Sequence, residues 1–404
     1  MNTGRKFTLA LAAAAAFGLV AGSAVAEKAY GPGVTDTNIK LGNTNPYSGP
    51  AAAYGTIGKS ISAYFDKVNK EGGVNGRMIE FISLDDGYSP PKTKEQTRKL
   101  VEQDDVLLIF QGLGTPTNSA VHNYMNKKKV PQLFVATGAT KWGDPENFPW
   151  TMGWQPSYQT EGRLFGAYIM ENVKDPKIGI LYQNDDYGKD YVKGLKDKLG
   201  DKASEWIVAE ESYEVTDPTI SSQIIKLKNS GANVFYNVSI PKFAAQAIKK
   251  VRELEWDPVF LNNSVSNSVG SVYKPAGLDK SKGIISLQYY QDPTSPDTQK
   301  TEAYAKWKAW MGEYYPEGDL LNTFNVYGYL VAQTMVQVLE QAGDNLTREN
   351  IMKEAANLNM EIDMFLPGVS IETSATDFYP IEKMMPVQFN GERLVSIGKV
   401  VSAN

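Results

Sequence analysis

The chain has no cysteine and one histidine in 404 residues. The first absence removes disulfides, thiolate metal sites and thiol nucleophiles together. The second leaves His122 without another imidazole, so a zinc site would have to be built from carboxylates, which suit harder ions. His122 falls in a helical pattern, where a lone histidine belongs to surface or core; general acid–base work needs both geometry and a partner. Neither a metal site nor a cofactor is expected. Positive charge is also short: 41 Lys and Arg stand against 46 Asp and Glu, a net charge of −5. That balance does not serve nucleic acid or anionic lipid. Beyond residue 26 there is no apolar run long enough to span a bilayer as a helix.

What is present begins with the N-terminus. MNTGRK is followed by FTLALAAAAAFGLVAGSAVA, ending at Ala24-Val25-Ala26. A basic segment, an apolar segment and a small-residue cleavage site make residues 1–26 a signal peptide. As an anchor the stretch is short, rich in small residues and broken by Gly18 and Gly22. The exported chain would start at Glu27; losing the two positive charges of Arg5 and Lys6 takes its net charge from −5 to −7. Without disulfides it must rely on its core, and its length allows two domains.

From Ile39 onward, strand-like runs alternate with helical patterns. IKLGNT (39–44) precedes Ile57, Ile61, Phe65 and Val68, which share one helix face and end at Glu71-Gly72-Gly73. MIEFISL (78–84), a charged helix over 91–103, VLLIF (106–110), a helix over 117–127 and PQLFV (131–135) follow. This order predicts a parallel sheet covered by helices on both faces. The pattern restarts with a helix over 158–173, the strand IGILY (178–182) and a helix over 187–199. WIVAEE (206–211), a helix over 219–229, NVFYNV (233–238), a helix over 241–254 and PVFL (258–261) complete it. Two such series predict two similar lobes. After GIISLQYYQDP (283–293), helices are expected over 297–314, 320–342 and about 347–357, with Thr347 as an N-cap. The tail 384–401 reads as a hairpin around Asn390-Gly391 that packs back on one lobe.

Asp85-Asp86 and Asp185-Asp186 follow strands and lack calcium-loop spacing; they are expected to line a cleft or cap the next element. GLGTPT (112–117) and VATGAT (135–140) are glycine- and hydroxyl-rich loops after neighbouring strands. Neither has phosphate-loop spacing. Glycine lets a ligand approach the backbone, and the first N–H groups of the following helix hold a carboxylate without Arg or Lys. In open α/β sheets ligands sit at the carboxyl ends of strands. Ordinary turn chemistry explains one such loop; two adjacent ones, in a chain with so few nucleophiles and bases, favour ligand capture.

These residues resemble the leucine/isoleucine/valine-binding family, the periplasmic receptors of branched-chain amino acid-type ABC importers. The matching stretches are NPYSGPAAAYG (45–55), VNKEGGVNGRMIEF (68–81), GLGTPTN (112–118), VATGAT (135–140), ILYQNDDYGKDY (180–191) and GANVFY (231–236). The resemblance implies an α/β type I periplasmic-binding fold: two Rossmann-like lobes, three crossovers and a cleft that closes on ligand. It implies lobes made of 27–155 with 284–365 and of 156–283 with 366–404. Gly114 and Thr115 on one loop, and Gly138, Ala139 and Thr140 on the other, would hold a solute carboxylate. Tyr54 and Tyr187 would close aromatic rings over it, and Ser239 and Ser264 would line the second lobe. The loop that carries an ammonium-binding acid in this family reads LNNSVSNS (261–268) here, without an acid. A buried ammonium without a carboxylate is costly, so the expected solute is a hydrophobic or aromatic carboxylic acid. Hydrophobic amino acids are the alternative, with Asp186 serving the ammonium. A secreted carboxylate-dependent hydrolase and a sensor are weaker readings. The expected protein is a periplasmic monomer without enzyme activity that delivers its solute to an inner-membrane ABC permease.

Overall fold

A computed structural model of the protein describes Met1 and residues 28–402. The expected signal peptide lies outside the described residues. The first lobe is built on the strands β1 (Asn38–Asn45), β2 (Met78–Asp85), β3 (Leu108–Phe110), β4 (Gln132–Val135) and β5 (Thr151–Gly153). They pair in the order β2-β1-β3-β4-β5, all parallel. The helices α1 (Gly55–Lys70), α2 (Pro90–Glu102) and α3 (Thr115–Lys128) connect them. The stripe read from the sequence, Ile57, Ile61, Phe65 and Val68, is buried on α1. Gly72 and Gly73 follow with φ of 107° and 74°, left-handed values that stop the helix at low steric cost.

The second lobe starts with α4 (Tyr158–Asn172) and β6 (Ile178–Gln183), then α5 (Asp186–Leu199) and β7 (Ile207–Tyr213). It continues with α6 (Ser221–Asn229), β8 (Val234–Val238), α7 (Pro241–Glu253), β9 (Val259–Asn262) and β10 (Ile285–Gln288). The helices α8 (Glu302–Tyr314), α9 (Thr323–Ala342) and α10 (Arg348–Ala355) come next, with Thr347 accepting from the Asn350 N–H as the N-cap. Of these, α8 and α9 pack against α1 of the first lobe. The strands β11 (Lys383–Phe389), β12 (Leu394–Ser396) and β13 (Val401–Ser402) end the described chain. The second sheet runs β12-β11-β10-β9-β8-β6-β7, with β13 also beside β11. The expected hairpin is present, with Gly391 at φ 107°, and it joins antiparallel to β10.

One boundary is corrected. The lobe change expected after residue 283 falls later, because β10 pairs with β9 on one side and β11 on the other. The second sheet therefore keeps the chain through Gln288. The chain crosses between lobes after β5, after β10 and before β11.

The packing of α4 on α5 positions the cleft. A Cβ at Gly162 would run into the Tyr191 carbonyl, and one at Gly194 into the Gln159 backbone. The two helices thus touch nearly backbone to backbone. Their first turns bring Tyr158, Glu161, Tyr187 and Asp190 together at the mouth of the second lobe. Substituting Gly194→Ala should overpack this contact and lower stability by about 1–3 kcal/mol. Urea unfolding would read this as a lower midpoint at unchanged slope; an unchanged midpoint would mean the helices have room to spare.

Candidate functional site

The α3 N-terminus is the first wall of the site. Its N-cap is Gly114, with φ 96° and no capping side chain over the first turn. Glycine is required there twice: for that φ, and because a Cβ would collide with the Tyr88 ring. Thr115 follows, its hydroxyl 2.5 Å from that of Thr137. Only one of the two needs to donate to the other, so one hydroxyl proton stays free for a third acceptor.

Gly114 and Thr115 open into a cavity between the lobes. Seven tyrosines and a phenylalanine line it. Tyr54 and Tyr88 come from the first lobe, Tyr158 and Tyr187 from the first turns of α4 and α5. Tyr289 and Tyr290 come from the crossover after β10, and Phe324 and Tyr327 from α9. None of the lining residues is charged. Burial raises all seven phenols above their ordinary value, so they are neutral donors. Gln155 ties two of them together, accepting from Tyr327 at 3.0 Å and facing Tyr158 at 3.4 Å.

The cleft is closed. The Tyr54 hydroxyl donates across it to the Val265 carbonyl at 3.0 Å. On the rim, the Thr140 N–H and hydroxyl donate to Asp190 at 2.7 and 2.8 Å. Lys141 meets Asp186 at 2.7 Å.

The residues singled out from sequence divide accordingly. Tyr54, Gly114, Thr115, Tyr187 and Ser264 line the cavity. Gly138, Ala139 and Thr140 do not. The Gly138 carbonyl accepts from the Tyr158 N–H at 2.7 Å, and Ala139 and Thr140 belong to the rim beside Asp186 and Asp190. Ser239 is buried behind the wall, donating to Asn237 at 2.9 Å; its neighbour Ile240 lines the cavity instead. Asp186 cannot serve an ammonium from where it stands, since it is exposed and paired with Lys141. Of the acidic pairs only Asp185 caps a helix, α5; Asp85 accepts from the loop N–H groups of Tyr47, Ser48 and Gly87. His122 stacks on Phe148 with ring centres 4.0 Å apart, and burial pushes its pKa down to about 4.

One carboxylate that touches the cavity wall was missed. Glu161, on the first turn of α4, is 1 % exposed. It accepts from the Ser264 N–H and hydroxyl, each at 2.6 Å, and from the Tyr191 hydroxyl at 2.8 Å. The donors of Ser264 are therefore spent on Glu161. Helical periodicity gave no sign of this, because Ser264 lies 103 positions away.

Comparisons with known proteins agree with this architecture. Residues 38–393 match the family model of the periplasmic binding proteins. A Leu/Ile/Val-binding protein homolog 1 from Brucella suis is 28% identical over 356 residues, covering 86% of each chain. A fatty acid ABC transporter substrate-binding protein from Thermomonospora curvata superposes with a TM-score of 0.79 at 24% identity, covering 93% of this chain and 95% of that one. A branched-chain amino acid ABC transporter protein from Thermus thermophilus, with bound valine, gives 0.81 at 16% identity, covering 91% and 97%. The chain belongs to the periplasmic binding protein family, of the Leu/Ile/Val-binding type, and has its type I fold. Its relatives are binding proteins of transporters, not enzymes, and the family implies a periplasmic location.

Burial pushes the Glu161 carboxyl up to about 7, against the opposing pull of the Ser264 and Tyr191 hydrogen bonds. The folded chain then holds this proton more tightly than the unfolded chain, where the group titrates near 4.5. The resulting stability is full below about 4.5 and is lost as pH rises through about 7. Wild type should lose stability relative to Glu161→Gln across that window, read as the difference in urea midpoints at about pH 5 and about pH 7.5. A difference that stays constant would mean Glu161 remains ionised throughout.

Proposed function

We propose that this protein is the periplasmic receptor of a branched-chain amino acid-type ABC importer and that its solute is a hydrophobic or aromatic carboxylic acid. The observation that carries the reading is the cavity wall: eight aromatic rings, the bare α3 N-terminus at Gly114–Thr115, and no charged lining side chain. The N-terminal N–H groups and the Thr115 hydroxyl are donors for a carboxylate. The rings are a surface for an apolar or flat body. Cleft closure then delivers the loaded protein to a membrane permease. The likeness to the Thermomonospora fatty acid ABC transporter substrate-binding protein is in keeping with an acid that lacks an ammonium.

A second reading, a hydrophobic amino acid, has one observation in its favour: Glu161 is a carboxylate close behind the wall. To meet an ammonium it would have to release Ser264. The valine bound to the Thermus protein keeps this reading open to test.

Calorimetry with 3-phenylpropanoate and phenylalanine at one pH separates the two. The des-amino acid should bind and the amino acid should bind far more weakly; the reverse order would assign Glu161 to an ammonium. Thr115→Val should weaken binding of the acid by roughly 1–3 kcal/mol, the cost of leaving a buried charged group short of a donor. Unchanged affinity would move the carboxylate away from α3. A bound acid should also raise the melting temperature by mass action.

A further inference from the structure

Two amides in the cavity wall are unspent. Asn267 and Gln288 are 1 % and 3 % exposed, and both line the cavity. Asn267 Nδ2 donates to the Leu287 carbonyl at 3.0 Å and to Ser286 Oγ at 3.1 Å. A backbone carbonyl only accepts, so this amide cannot be turned over. Its Oδ1 is left without a partner among the described residues, and so is Gln288 Nε2. The carbonyl that holds Asn267 belongs to the peptide link leading into Gln288, so the two residues are neighbours in the wall. Buried polar atoms of a well-packed wall are rarely left unpaired, because each forfeits its hydration.

We propose that Asn267 Oδ1 and Gln288 Nε2 recognise a neutral group on the solute that donates and accepts at the same point, a hydroxyl or a carboxamide. This rests on the carboxylate reading: the acid lies at Gly114–Thr115 of the first lobe and the neutral group at the second. One solute then bridges the cleft with a polar group at each end and an apolar body among the tyrosines. A second carboxylate at the amide pair would face the Oδ1 lone pairs. An ammonium would face the Nε2 hydrogens. A methyl group would leave both amides unpaired. Turning the Gln288 amide over would present two carbonyl oxygens and make the point selective for an amine instead.

The test uses calorimetry on the full exported chain with 3-phenylpropanoate, its three ring-hydroxylated isomers, the corresponding ring carboxamides and the ring aminomethyl compounds. At least one hydroxyl or carboxamide compound should bind roughly tenfold tighter than the parent acid, or better. In Gln288→Met that gain, taken as the ratio to the parent acid measured on the same variant, should shrink to within about twofold. Asn267→Leu gives the same comparison on the partner amide, and the wild-type series stands without either variant. No gain from any isomer, a gain that survives in Gln288→Met, or a gain confined to the aminomethyl compounds overturns the inference. If the parent acid and every analogue fail to bind, the carboxylate reading has failed and the inference falls with it. Binding of the parent acid therefore distinguishes the two failures.

Discussion

A charged solute can be enclosed between these lobes only where its charge meets opposing partial charges. Water leaves as the cleft closes, and an unpaired ion in such a space is far costlier than an unpaired hydroxyl. The cavity supplies one anchor for negative charge, the uncapped α3 N-terminus beside Thr115. It supplies no free anchor for positive charge, because Glu161 is fully occupied by Ser264 and Tyr191. The rest of the wall is aromatic and neutral. On the proposed reading, the electrical asymmetry of the cleft selects the class of solute, and the rings and amides select within it.

The lobes place that asymmetry by packing and not by charge. The glycine contact of α4 on α5 fixes Tyr158, Glu161 and Tyr187 relative to one another. The salt bridge that crosses the cleft, Lys141 with Asp186, lies on the rim, where solvent weakens it. Thr140 with Asp190 is the more sheltered rim contact. Rim contacts of this kind hold a cleft shut without reading what is inside it. Recognition is left to neutral groups in the interior, where each hydrogen bond is harder to replace by water.

The alternation of strands and helices was legible from Ile39 to Asn262 because period-two and period-3.6 patterns are local. So was the hairpin, whose Asn390-Gly391 turn needs a positive φ. The lobe boundary after 283 was misplaced because GIISLQYY reads as one strand; its membership depends on pairing with β9 and β11, neither of which is local. At the site, glycine and hydroxyl chemistry singled out GLGTPT, and its Gly114 and Thr115 line the cavity. VATGAT carries the same chemistry, yet its Gly138 is drawn against α4 and its Thr140 to Asp190. Loop composition cannot distinguish these outcomes. The tyrosines come from six stretches of chain, and Tyr88 enters on a backbone turn with φ 60°. No periodicity marks such a convergence.

The most direct test is mass spectrometry of the solute released by denaturing protein purified, without refolding, from its native compartment. The account predicts an organic acid with an apolar or aromatic body, no amino group, and a hydroxyl or amide remote from the carboxylate. Stoichiometric release of leucine, isoleucine, valine or phenylalanine would contradict it.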